Sequence, residues 1–164
     1  MTPELHRPVA LDRIGPQGVE VPVEAEPEEL RRLAERMRLP GIAELRCRFR
    51  LRRIGDETVE ARGTLHARVT QICVVTLDEF EDTVEEEFTV RFVPDGMEDA
   101  DPEPDAVDEL AYVGGAVDLG EAAAEQLALA LDPYPRKPGV ELPEEAPEPD
   151  ANPFAVLAAR RARQ

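Results

Sequence analysis

Four arginines, Arg46, Arg48, Arg50 and Arg52, recur at every second position of one short stretch, and they carry the clearest chemical signal in the chain. On an extended strand alternate residues share a face, about 6.5–7 Å apart. Guanidinium groups at that spacing can grip successive phosphates, because arginine presents a planar fork of donors. Arg62 and Arg68 follow in a second alternating stretch and join the same face when the two stretches pair. The six residues form a candidate RNA- or phosphate-binding surface. Two features oppose it. Glu60 faces the row across the pairing, and Glu85 and Glu87 hold the outward face of a third strand, so cross-strand ion pairs can neutralise part of the charge. No aromatic side chain shares the arginine face, so bases have nothing to stack on there.

Other residue types capable of chemistry are sparse. His6 and His66 are the only histidines, and neither has a nucleophile or base at a useful spacing. His66 falls on the outward side of its strand and reads as a surface residue. The chain has no Gly-rich phosphate loop, no nucleophile elbow and no ligand-spaced His/Cys/Asp set, which argues against an enzyme and gives no catalytic residue. Cys47 and Cys73 are not spaced as a C-x-x-C pair, and structural zinc needs about four ligands. The runs Glu85-Glu86-Glu87 and Asp99-Ala100-Asp101 offer at most a loose hold on Mg²⁺ or Ca²⁺. No metal and no cofactor are expected. Two cysteines are also too few for a disulfide framework, so a reducing cytoplasm is the simplest location. No run approaches 18 apolar residues, and Met1–Ala10 lacks the features of a signal peptide.

The net charge of −17 is divided unevenly. Residues 1–75 hold 13 Arg and 12 acids, while residues 76–164 hold 6 basic and 24 acidic residues. The overall field repels nucleic acid at long range, so any RNA contact must use a local basic face in the first half. Otherwise the partner is a basic protein.

The elements that must position these groups follow from periodicity. Pro8–Ile14 and Val19–Val23 read as short extended pieces broken at Gly15-Pro16. Pro27–Arg38 reads as a helix, with Pro27 in its first turn, Glu28 and Glu29 at its positive end, and Leu30, Leu33, Ala34 and Met37 as its apolar stripe. Pro40-Gly41 stops it. From Ala43 the period becomes two: Ala43, Leu45, Cys47, Phe49 and Leu51 point inward, opposite the arginines. Val59, Ala61, Leu65, Ala67 and Val69 repeat the pattern, which predicts an antiparallel hairpin. After Thr70 the apolar phase slips to Ile72 and Val74, which predicts a bulge or bend. Val84, Phe88, Val90 and Phe92 define a third strand.

An acidic, Pro-containing loop over 94–108 precedes a short strand at Ala111–Val113. Asp118 and Glu121 read as a capping-box-like pair opening a helix whose stripe is Leu119, Ala122, Ala123, Gln126, Leu127 and Ala130. The expected fold class is α+β: an antiparallel meander or partial barrel with packed helices. Aromatics make up only 4% of the chain, so the core must rest on Val, Leu, Ile and Ala. The expected organisation is one α+β domain over 1–140, an acidic Pro-rich disordered linker over 141–151, and a short amphipathic helix over 152–164. In that last piece Asn152 can cap, Pro153 suits the first helical position, and Phe154 and Leu157 form an apolar edge able to engage a partner.

Several stretches taken together resemble a known family. They are Arg68-Val69-Thr70-Gln71-Ile72-Cys73-Val74-Val75-Thr76-Leu77, Glu87-Phe88-Thr89-Val90-Arg91-Phe92, the acidic loop, Val117-Asp118-Leu119-Gly120-Glu121, the Gln126–Pro133 run, and Asn152-Pro153-Phe154-Ala155-Val156-Leu157-Ala158. In this order they resemble the YceD family of large ribosomal RNA accumulation proteins, most closely its alphaproteobacterial form. The resemblance implies a non-catalytic factor in ribosome biogenesis that supports synthesis, processing or stability of 23S rRNA. It implies pre-rRNA or a large-subunit ribosomal protein as partner, with neither a membrane nor a small-molecule substrate. Many relatives carry C-x-x-C where this chain has Cys73 and Thr76, and some add cysteines after the long helix, which suggests zinc in them. Here Thr76 replaces the second cysteine and Tyr134–Val140 contains none. Two rivals remain: an acidic adaptor that binds a basic ribosomal protein without touching RNA, and a metalloenzyme with an unrecognised site.

Overall fold

The computed structural model describes residues 2–142. The alternating stretches become long neighbouring strands, because each buries one apolar face and leaves a charged one in water. The strands are β1 (Pro8–Ala10), β2 (Val19–Glu24), β3 (Gly41–Arg53), β4 (Val59–Ile72), β5 (Glu79–Pro94), β6 (Asp108–Tyr112) and β7 (Ala116–Asp118). The helices are α1 (Pro27–Met37) and α2 (Leu119–Ala130). β2, β3, β4, β5 and β6 form one sheet in that order, and β1 pairs with β7 in a small second sheet. The fold is α+β with an antiparallel meander, and the sheet does not close into a barrel.

β6 is the exception to the meander, since it runs parallel to β5. The chain between Pro94 and Asp108 is long enough for this, as a parallel return needs about a dozen residues or more. The acidic loop is therefore the return path. The strand expected at Ala111–Val113 begins earlier, at Asp108.

One apolar cluster fills the inner face of the large sheet. It joins Leu30, Leu33 and Ala34 of α1, Leu45, Phe49 and Leu51 of β3, Val59, Leu65 and Val69 of β4, and Leu119, Ala123 and Leu127 of α2. The expected inward residues occupy it with one correction at the start of β3. The register shifts between Ile42 and Glu44, which puts Ile42 inside and leaves Ala43 exposed. A second correction concerns the end of β4. No bulge follows Thr70: β4 stays in register with β5 through Ile72. The inward position falls to Gln71, which is 3% exposed, while Ile72 is 46% exposed. Apolar residue type misplaced the phase because the pleat continues whatever side chains it carries.

Glycine at 63 has a steric reason. Phe49, Gly63 and Phe88 are neighbours across three strands, and an added Cβ at Gly63 would lie 2.2 Å from the Phe88 ring. Phe88 covers the glycine and meets Phe49 edge to face, with centroids 5.7 Å apart.

The N-terminal residues form a strap that ties the two helices together. Leu5 is fully buried, and the Arg7 carbonyl accepts from Leu119 N–H at 3.1 Å. Asp118 caps α2 by accepting from Gly120 N–H at 3.0 Å and Glu121 N–H at 3.4 Å. Only half of the expected capping box forms, because the Glu121 carboxylate instead accepts from Arg36 of α1 at 2.7 Å. The reciprocal cap bond occurs at α1, where Glu29 accepts from Glu26 N–H at 2.8 Å. Glu29 also accepts two bonds from Arg7, both 2.8 Å.

The Arg7 guanidinium holds the Glu29 carboxyl below its ordinary value of about 4.5, against the opposing effect of burial. A depressed carboxylate stabilises the fold above its unfolded value, and that stability is lost as pH falls through the lower folded value. The melting temperature is therefore expected to drop as pH falls below about 4.5. Glu29→Gln should flatten that dependence in thermal melts across the acid range. An unchanged slope would remove Glu29 from the account.

Candidate nucleic-acid interface

The outward face of the large sheet carries all six candidate arginines. Arg46, Arg48, Arg50 and Arg52 are exposed along β3, and Arg62 and Arg68 are exposed on β4. Their positions follow from the period-two pattern alone. Across the β3–β4 register, Arg46 faces His66, Arg48 faces Thr64, Arg50 faces Arg62, Arg52 faces Glu60, and Glu44 faces Arg68.

Carboxylates take up part of this charge. Glu44 accepts from Arg68 Nε at 3.1 Å and stands 3.4 Å from Arg46. Its carboxyl is lowered, chiefly by that Arg68 hydrogen bond. Glu60 lies 3.3 Å from Arg52 and 3.6 Å from Arg62, as the strand pairing predicts. Glu85 reaches His66 at 3.3 Å rather than an arginine, and Glu87 faces Thr64. Among the described residues, Arg48 and Arg50 have no carboxylate within ion-pairing distance. Exposed pairs of this kind contribute only ~0–1 kcal/mol each, so an incoming phosphate can compete for the paired arginines as well.

The sequence reasoning missed the other border of this face. β2 lies beside β3, which sets Glu20 against Arg50, Pro22 against Arg48 and Glu24 against Arg46. Nothing in the local pattern of Val19–Glu24 names its neighbour. The partner-binding candidates Asn152, Pro153, Phe154 and Leu157 lie outside the described residues.

The family motif forms a tight turn where β4 passes into β5. Cys73 N–H donates to the Asp78 carbonyl and Leu77 N–H to the Cys73 carbonyl, both at 2.9 Å. Thr76 N–H points at Cys73 Sγ at 3.5 Å. The chain after α2 returns to this turn, with Val74 N–H donating to the Pro135 carbonyl at 2.9 Å. The structure thus brings together two stretches that no local pattern connects.

Residues 61–159 match the family model of the large ribosomal RNA subunit accumulation protein YceD. The chain belongs to the YceD family. No curated protein and no solved structure matches it. The YceD description names accumulation of large-subunit ribosomal RNA, which is not an enzymatic activity. No described helix is long and apolar enough to cross a membrane.

The zinc suggested for some YceD relatives does not fit this member. Cys73 is the one thiol at the turn, and the Thr76 hydroxyl accepts from Asp78 N–H at 3.3 Å. The returning segment meets the turn through a backbone carbonyl. Cys47 cannot assist: it lies opposite Leu65, eight residues along β4 from Cys73 and therefore ~26 Å away. Backbone hydrogen bonds close the turn.

Other donors of the turn and of the returning segment act on the thiol. The Thr76 hydroxyl, then the backbone N–H groups of Lys137, Thr76 and Val75, lower the Cys73 thiol to about 7. Burial pushes the Cys47 thiol up to about 12. A lower value means more thiolate near neutral pH, and the thiolate is the nucleophile. Iodoacetamide is therefore expected to label Cys73 before Cys47 in the folded protein, at a rate limited by opening of the 73–78 turn. Peptide mass spectrometry reads the order, and prior labelling of Cys47 would contradict it.

Proposed function

We propose that this chain is a non-catalytic factor that supports accumulation of 23S rRNA by touching pre-rRNA through the outward face of β3 and β4. Membership of the YceD family supports the process. The contact rests on one observation: Arg48 and Arg50 stand exposed at adjacent outward positions with no carboxylate partner among the described residues. Arg46, Arg52, Arg62 and Arg68 extend the surface on either side. A cytoplasmic location accords with this role. In this reading Asn152, Pro153, Phe154 and Leu157 engage a second partner beyond the acidic stretch.

A second reading draws on the opposite charge. Glu79, Glu81, Glu85 and Glu87 are exposed along the part of β5 that β6 does not cover. Such an edge suits a basic large-subunit ribosomal protein held without RNA contact.

Deleting the gene and comparing 23S with 16S rRNA tests the proposal. Loss of 23S rRNA, restored by the wild-type chain and not by an Arg48→Glu/Arg50→Glu variant, is the expected result. Unchanged 23S levels on deletion would refute the role. Rescue by the variant, with ribosomal protein captured after RNase treatment, would favour the adaptor.

A further inference from the structure

We infer that the arginine face takes a single strand of RNA by its phosphates, without reading bases, and rejects a duplex. This rests on the RNA-contact reading above and follows from what borders the arginines.

The basic lane is two strands wide. Arg48 and Arg50 stand on β3, with Arg62 directly across from Arg50 and Thr64 across from Arg48 on β4. One strand further out carboxylates appear on both sides, interrupted by Pro22 beside Arg48 on β2 and by Thr89 and Arg91 beside Arg62 and Glu60 on β5. On β2, Glu20 lies beside Arg50 and Glu24 beside Arg46. On β5, Glu87 lies beside Thr64 and Glu85 beside His66. β2 and β5 are three strand spacings apart, ~14 Å. A phosphate chain running along β3 meets guanidinium groups from Arg46 to Arg52, and one displaced out of the lane meets Glu20 or Glu24 on β2, or Glu85 or Glu87 on β5.

A duplex cannot keep to this lane. A-form RNA presents two phosphate rows across its shallow groove, and duplex-binding domains contact both. With one row on Arg48 and Arg50, the second falls towards β2 or β5, where like charge repels it. A single strand has one row and enough flexibility to follow the twisted sheet. Its bases have little to stack on: the outward positions of β2, β3 and β4 hold no Phe, Tyr or Trp. His66, at the end of the lane, is engaged by Glu85 and Glu44. Thr64 and Thr89 can hydrogen-bond a phosphate oxygen or a 2′-hydroxyl, neither of which depends on sequence.

Fluorescence anisotropy on the full chain at low salt decides the matter, using a short mixed-sequence RNA, its complement and the duplex of the two. The two single strands should bind alike, and the duplex roughly tenfold or more weakly. Binding should weaken with salt at a log–log slope of about −2, from about −0.7 for each of three neutralised phosphates. Arg48→Glu/Arg50→Glu should abolish it, with circular dichroism and melting unchanged because both side chains are exposed. Glu20→Gln/Glu87→Gln should raise duplex affinity and leave single-strand affinity nearly constant. A duplex that binds as tightly as the single strand would overturn the inference and leave the RNA reading standing. Absence of all RNA binding, or single-strand binding indifferent to the arginine variant, would overturn that reading too. Displacement of RNA by polyglutamate at equal charge would overturn both, since the lane would then accept any acidic chain.

Discussion

Gly120→Ala should lower the melting temperature by roughly 10 °C, given a cost of about 3 kcal/mol in a domain of this size. Helix propensity alone predicts the opposite, a gain of up to about 1 kcal/mol for alanine over glycine. Space decides the sign. A Cβ at Gly120 would sit 2.5 Å from the Leu5 carbonyl oxygen and 3.0 Å from Arg7 N. These are backbone atoms, so no rotamer change relieves the clash and the strap must move. Moving it withdraws Leu5 from a site where it is fully buried and loosens the Leu119 N–H bond to the Arg7 carbonyl. Extracting a buried leucine is comparable to truncating it, about 2–5 kcal/mol. A variant as stable as wild type would mean that the strap is not held against α2 as described.

Gly63→Val should also be destabilising, with a different signature. The Phe88 ring occupies the space above Gly63, so valine must expel it from its edge-to-face contact with Phe49. Phe88 is half-buried, so expelling its ring should cost less than the about 3–5 kcal/mol of a fully buried aromatic. The clash is with a side chain, so it can be relieved by removing that side chain. In a Phe88→Ala background valine fills the vacated volume, and the two changes should be non-additive by about 1–3 kcal/mol. Urea titrations of the two single variants and the double variant measure the coupling, and simple additivity would contradict the three-strand stack.

The two cases mark what was legible in the sequence. Period-two alternation identified β3, β4 and β5 and the side on which Arg46, Arg48, Arg50, Arg52, Arg62 and Arg68 stand, because burial on one face leaves no freedom in the pattern. Helical spacing located α1 and α2 for the same reason. Residue character alone points Ala43 inward and Gln71 outward, whereas a register shift and a continuing pleat set their sides the other way. The parallel pairing of β6, the strap over Gly120 and the place of β2 are non-local, and no short window encodes which element becomes a neighbour. The arginine row was visible, and the Glu20 and Glu24 border that narrows it was not, since that border depends on strand order.

Charge at long range and contact at short range are separable in this chain. A net charge of −17 works against RNA approach, and the exposed Arg48–Arg50–Arg62 group works for it once contact is made. The expected complex is accordingly modest both in affinity and in salt dependence, a contact suited to transient handling of RNA during assembly.

The proposed function depends on direct contact between this face and large-subunit ribosomal RNA. Ultraviolet crosslinking in living cells, followed by sequencing of the RNA bound to the full chain, tests it most directly. Recovery of 23S sequences well above 16S is expected, with recovery lost in Arg48→Glu/Arg50→Glu at equal protein level. Equal recovery of 23S and 16S, or 23S crosslinks that persist in the variant, would contradict it.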